Sequence, residues 1–434
     1  MEAVRLNAGL PLYESGHATH MYGPLLTLML AGIFRIVGLN LLAARILFSI
    51  FAFLLTIFLM IVVCRGKSRE CWLIAVLLFL GVNLRTNLIF LSAQPDCLAA
   101  LIALVALCFW ITRTRSWVRP AAAIALFVSA MLLKQTSAAF ALIAIVYVLA
   151  WERPLRFRDI AVSIVPTMSI LLALAAIRLF WPQMFSAIVT VPASIRVYPE
   201  RSFVLAVFLF AAFPIFFIAL FSILRSKTRI NERERWILSA LVVLVPVSIW
   251  AASKSGGSYS SLLPAYLAMT ALFVSQFDAI TGWLRSLPIR RSILTASAIA
   301  LAILFSFFIQ LDRATALLYS RCGDDKYGSA VAVARRLDGV VISPQDPTIA
   351  YRASGYLGRS LFFELDAHAV NGNWPDELPE SMQQELAQAR YVIQVHSYVP
   401  TPALERGLVN NHFYPMPIEA LDNSMYAFWA RKSE

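Results

Sequence analysis

The sequence predicts an α-helical polytopic membrane protein with a small C-terminal α/β domain. Three observations carry that prediction: an apolar composition, a series of apolar runs of spanning length, and a change of pattern after residue 311. With 59% hydrophobic and 14% charged residues, the chain lies far from a soluble domain, in which about a quarter of residues are charged. Its mean hydropathy is +0.71. Apolar runs lie at 41–63, 71–90, 97–112, 120–133, 136–151, 160–180, 203–224, 236–251, 262–284 and 292–311, most near the ~20 residues that cross a hydrocarbon core.

Basic clusters fall in every second loop: Arg65/Lys67/Arg69, Arg113/Arg115/Arg119, Arg153/Arg156/Arg158, Arg225 to Arg235, and Arg285/Arg290/Arg291. The positive-inside rule makes these loops cytoplasmic. The segments carrying Arg85 to Asp96, Lys134–Gln135, Pro182 to Arg201 and Lys254 to Ser261 then face outward, together with everything after Leu311. The net charge of +12 belongs mostly to orientation signals and lipid contact, which excludes nucleic acid as a partner and leaves membrane lipids. Five cysteines provide no even-numbered disulfide framework.

Residues 1–21 hold neither a signal-peptide pattern nor a span. The run Tyr22 to Val37, short for a span and interrupted by Gly32, reads as an interfacial helix. That reading makes 1–40 an outer loop with a juxtamembrane helix, 41–311 the transmembrane domain of about ten spans, and 312–434 an extracytoplasmic α/β domain. It also implies a first span upstream of Met1. In the last domain, helical patterns at Tyr327–Leu337 and Pro379–Ala389 alternate with strand patterns at Val340–Ser343, Leu361–Leu365, Tyr391–Val395 and Met425–Ala430, suggesting a partly parallel sheet.

The segments Gly9-Leu-Pro-Leu-Tyr13, Tyr22-Gly-Pro-Leu25, Arg35-Ile-Val-Gly38 and Ala43-Ala-Arg45 resemble the first outer loop and second span of GT-C glycosyltransferases, specifically the bacterial dolichyl-phosphate-mannose-protein-mannosyltransferase-like group. Gln94-Pro-Asp96, Leu133-Lys-Gln-Thr136 and Lys254-Ser-Gly-Gly-Ser-Tyr259 add to the resemblance by their order and shared side. It implies an inverting enzyme of the cell inner membrane that moves a sugar from a polyprenyl-phosphate carrier to an extracytoplasmic acceptor, whether glycan, lipid or protein.

Such chemistry needs cations for the departing phosphate and a carboxylate as general base, and a divalent metal assists in some relatives. Lys134, Lys254, Arg85 and Arg196, with Gln135, are the phosphate-binding candidates. Gly256–Gly257 would let backbone approach a phosphate closely. Relatives carry an acid about ten residues before the glycine equivalent to Gly9, so the main acid is expected upstream of Met1, with Glu14, Asp96 or Glu2 as substitutes. Glu14, His17 and His20 share a loop and could in principle hold a metal, although solvated loops of this kind are commoner. Blander readings exist for each: Lys134 and Lys254 could snorkel, and Asp96 could simply cap a helix. The rival functions are a transporter or flippase for a lipid-linked or anionic substrate, and an inactive truncated homologue; no internal repeat supports the transporter.

Overall fold

The computed structural model describes residues 1–13, 20–86, 88–112, 117–225, 230–308, 326–361, 378, 380–395, 402–421 and 424–432. Along the chain the helices are α1 Glu2–Asn7, α2 Pro24–Val37, α3 Leu41–Cys64, α4 Arg69–Arg85, α5 Pro95–Ile111, α6 Val118–Leu133, α7 Leu142–Trp151, α8 Phe157–Phe180, α9 Pro182–Phe185 and α10 Val191–Ser194. They continue with α11 Pro199–Ala211, α12 Ile215–Arg225, α13 Glu232–Ala252, α14 Leu263–Ser286, α15 Ile289–Phe308, α16 Lys326–Arg336, α17 Pro347–Ser354, α18 Glu380–Gln388 and α19 Pro402–Asn410. The strands are β1 Val341–Ile342, β2 Tyr391–Val395, β3 Phe413–Met416 and β4 Tyr426–Arg431. The chain divides into two compact units: Met1–Leu39 with Phe180–Arg196 and Leu318–Glu434, and Asn40–Leu179 with Val197–Leu317.

The larger unit is a helical membrane bundle. Among the described residues, each of the ten apolar runs is mainly helical, and five helical segments are long and apolar enough to cross a bilayer: Leu41–Cys64, Phe157–Phe180, Glu232–Ala252, Tyr259–Ser286 and Ile289–Ser306. A sixth arises if α11 and α12, bent by 69°, form one span. The bend falls at Pro214, which has no N–H to continue the helix. Helix starts are set by local chemistry. Asn40 accepts from Ala43 N (3.0 Å) at α3 and Ser68 from Cys71 N (3.3 Å) at α4, while Asn231 and Glu234 form a reciprocal capping box at α13.

At the basic-loop end, side chains tie these helices together. Lys67 Nζ donates to Ser275 O (2.7 Å) and pairs with Asp278 (3.4 Å). Gln276 Nε2 donates to Glu234 Oε1 (2.6 Å), and Arg233 Nη1 donates to Val63 O (2.8 Å) at the end of α3. Carbonyls at a helix C-terminus have no partner within the helix, so a guanidinium there satisfies both hydrogen bonding and the helix dipole.

The smaller unit holds a four-stranded sheet of order β1-β2-β4-β3. β1 and β2 run parallel, and the other two pairings are antiparallel. Val392 joins an apolar cluster with Met382, Leu386, Leu404 and Leu408, whereas its neighbour Ile393 joins Ala330, Val331 and Ile349. The period-2 alternation of strand side chains therefore buries both faces, under α18 and α19 on one side and α16 and α17 on the other. The expected α/β character with a partly parallel sheet is what the structure has. Strand β3 was not expected, because Pro415 demotes its run. Of the expected strand Leu361–Leu365 only Leu361 is described, its N–H bonded to Pro344 O (2.9 Å).

The amino-terminal segment belongs to this same unit. Asn7 Nδ2 donates to Ala31 O (2.9 Å) and Arg35 Nε to Asn7 Oδ1 (2.8 Å), fixing α1 on α2. Arg5 Nη1 reaches Leu357 O (2.7 Å).

Candidate functional site

Three chain segments of the helical unit converge on Asp96. Pro95 occupies the first turn of α5, where its missing N–H costs nothing, and places Asp96 beside it. A carboxylate there is favoured by the positive end of the helix dipole. Lys134 lies in the break between α6 and the 3-10 turn Gln135–Ala141, its backbone extended at φ −148° and ψ 121°. Its ammonium forms an ion pair with Asp96 Oδ1. Ser260 Oγ donates to the same oxygen (3.1 Å), and Ser258 Oγ lies 2.5 Å from Ser260 Oγ. The side chains of Asp96 and Lys134 are only 8% and 13% exposed, so this is a buried pair held by a hydroxyl, not two charges snorkelling separately into water.

A cavity of about 20 Å³ lies among Asp96, Lys134, Ser137, Ser248 and Ser260, room for about one water molecule. The Ser248 hydroxyl on its wall is buried and has no hydrogen-bond partner among the described residues. The site can therefore take at least one further polar group.

Lys254 sits on the turn that carries Ser258 and Ser260. Its Nζ lies 3.9 Å from the centre of the Trp250 ring, and half-burial lowers its pKa below the ordinary lysine value. The two glycines have local reasons to be present. Gly256 has φ +67°, and a Cβ on Gly257 would sit 2.5 Å from Ala252 O and 2.8 Å from Ala251 O. The backbone thus approaches the last carbonyls of α13 more closely than any side chain allows. Arg201 holds the turn from outside, donating from Nη1 to Lys254 O (3.1 Å) and from Nη2 to Gly257 O (2.5 Å).

The other sequence candidates are placed differently. Arg85 is fully buried, with Nε donating to Ser306 O (2.6 Å) and Nη2 to Ala212 O and Phe305 O (3.3 Å). These are carbonyls at the α11–α12 bend and near the end of α15, where a cation meets the negative ends of helices. Three backbone oxygens on other segments of the bundle thus accept from its guanidinium. Gln135 opens the 3-10 turn next to Lys134 and is half-buried. Arg196 lies in the smaller unit, exposed, just after α10. Glu2 is in α1 of the same unit, within 3.8 Å of Arg5. Glu14 and His17 lie outside the described residues.

His20 is buried between Tyr13 and Tyr22, at ring-centroid distances of 5.6 and 6.3 Å, with Nε2 3.5 Å from Thr27 Oγ1. Among the described residues no three His, Cys, Asp or Glu side chains form a metal-holding group. Desolvation lowers the His20 pKa from 6.5 to about 4. The folded protein therefore keeps His20 neutral where the unfolded chain would protonate it. Stability should be unaffected above pH 6.5, fall by about 1.4 kcal/mol per unit as pH drops from there, and level off near 4. Thermal unfolding of the wild type and of His20→Gln across this range checks the sign, since the variant should lose that part of the slope.

No family model matches the sequence, and none of the curated proteins matches it. Among solved structures, the crystal structure of ArnT from Cupriavidus metallidurans bound to undecaprenyl phosphate is similar over 100% of this chain and 92% of that chain. The TM-score is 0.57 and the identity 14%. At that identity the likeness is one of fold. The expected polytopic helical membrane protein with a small α/β domain is the fold this chain has.

Proposed function

We propose that the protein is a membrane glycosyltransferase that takes a sugar from a polyprenyl-phosphate carrier and passes it to an extracytoplasmic acceptor. One observation carries this reading: the buried Lys134–Asp96–Ser260 cluster, assembled from three separate chain segments at one end of a helical unit whose fold is shared with a protein crystallised with undecaprenyl phosphate. Scattered interfacial lysines would give no such convergence. The basic loops orient this end away from the cytoplasm, and the cell inner membrane is the membrane concerned.

In the proposed reaction the carrier phosphate takes over Lys134, with Lys254 as the second cation. Asp96, still held by Ser260, is then released to accept the acceptor hydroxyl proton. The bond between the sugar anomeric carbon and the phosphate oxygen breaks as the acceptor oxygen attacks from the opposite face. The carrier leaves as a phosphate anion between the two lysines. Cations placed at developing charge of this kind are worth about 10²–10³ in rate.

Proteoliposomes loaded with a polyprenyl-phosphate sugar radiolabelled in the sugar test it. Wild-type protein should release label from the carrier when extracytoplasmic acceptor is supplied, and Lys254→Ala should lower that release by about 10²-fold. Carrier that crosses the bilayer with its sugar still attached would replace this reading with a flippase.

A further inference from the structure

A second cavity lies at the other end of the same helices. Helices α3, α4, α5, α13 and α14 line an open-sided cavity of about 860 Å³, within the range that holds a small hydrophobic ligand. Its walls are aliphatic and aromatic, with Leu59, Val62, Phe79, Leu104, Leu107 and Leu267 among them. Its charged groups are confined to one end, where Arg65, Glu232 and Arg233 meet at the close of α3 and the start of α13. Asp96 and Thr112 mark opposite ends of α5, about 24 Å apart at 1.5 Å per residue, so this chamber is separate from the candidate catalytic cluster.

The three charges at the mouth differ in their commitments. Arg233 is fixed by its bond to Val63 O. Arg65 is exposed, and its guanidinium makes no hydrogen bond or ion pair among the described residues. Its neighbours are engaged: Lys67 with Asp278, Arg235 with Ile230 O (3.1 Å), and Arg225 over the Trp283 ring. Two guanidiniums and one carboxylate leave the mouth with a single positive charge, which suits one negative charge and disfavours a polyanion. The α3 face beside the chamber is apolar and exposed, with Ile57 and Ile61 about half accessible, as a lipid-facing surface would be.

We infer that this chamber binds one monoanionic phospholipid of the bilayer leaflet on the basic-loop side, with an acyl chain between α3, α5, α13 and α14 and its phosphodiester at Arg65 and Arg233. Basic pockets between spans on that side of a membrane are suited to anionic head groups. An apolar tail alone would not require the paired guanidiniums, and a soluble anion would not require the long aliphatic wall.

The full chain carrying Cys322→Ser, reconstituted in nanodiscs, provides the test. Cys108 lines the chamber and is partly accessible, whereas Cys64, Cys71 and Cys97 are buried. Phosphatidylglycerol nanodiscs should slow alkylation of Cys108 by an apolar maleimide about tenfold relative to phosphatidylcholine nanodiscs, and Arg65→Glu should abolish the difference. Native mass spectrometry of the purified protein should show one retained phosphatidylglycerol, lost on Arg65→Glu and on Ala271→Trp, which fills the chamber. Equal protection by the two lipids, retention of a zwitterionic lipid or of a polyprenyl phosphate in its place, or no retained lipid would each overturn the assignment.

Discussion

Lys134→Met is expected to lower sugar transfer by about 10²–10³-fold and at the same time to destabilise the protein, because it leaves the Asp96 carboxylate buried without its counter-ion. Breaking one partner of a buried pair typically costs about 3–5 kcal/mol, whereas replacing both is often neutral. The double variant Asp96→Asn with Lys134→Met should therefore regain most of the lost stability and none of the activity. Thermal unfolding in detergent and the transfer assay, run on the two single variants and the double, separate these effects. A double variant that recovered transfer would reduce the pair to a structural strut and remove Asp96 from the proposed chemistry.

Arg85→Met should cost several kcal/mol of stability, since each hydrogen bond from a charged donor is worth about 1.5–3 kcal/mol and the guanidinium makes bonds to Ser306 O, Ala212 O and Phe305 O. Arg85→Lys should recover little of it, because one ammonium cannot reproduce a planar fork aimed at acceptors on two helices. Carrier affinity of the surviving folded protein should be nearly unchanged. A variant with unaltered melting but greatly weakened carrier binding would show instead that Arg85 holds the phosphate.

The contrast between Lys134 and Arg85 shows how far the sequence can be read. Lys134 interrupts two apolar runs, and Gln94-Pro-Asp96 opens another, so the sequence places a charge of each sign at the ends of spans on one side, while their burial as a pair shows only in the structure. Arg85 looked equivalent, but the acceptors that occupy it are backbone oxygens on helices far along the chain, and a carbonyl leaves no mark in a sequence. Likewise Gly256–Gly257 reads as an invitation to a ligand, yet Gly257 is already required by the carbonyls of Ala251 and Ala252. Ser258 and Ser260 were hidden in a small polar turn. Arg201 had a signal that could have found it: a cation in the first turn of α11, where the helix dipole disfavours positive charge, needs an external partner, and it finds one in the Lys254 turn.

The fold was more legible than the site because apolar runs and basic loops act over many residues. The ten runs needed no tertiary information to be recognised. The bend between α11 and α12 follows from Pro214, but its 69° angle depends on packing. Strand β3 was masked by Pro415, whose register opposite Trp429 only the folded sheet supplies.

The lengths of α5 and α6 carry a consequence for biogenesis. At 17 and 16 residues they rise about 25 and 24 Å, less than the ~30 Å of an average hydrocarbon core. Asp96 at the start of one and Lys134 at the end of the other would each be drawn into the edge of the lipid if its helix entered the membrane alone. Entering together, they cancel. The translocating chain therefore has reason to partition α5 and α6 as a single hairpin, with the ion pair as the bond that makes the two short helices one insertion unit.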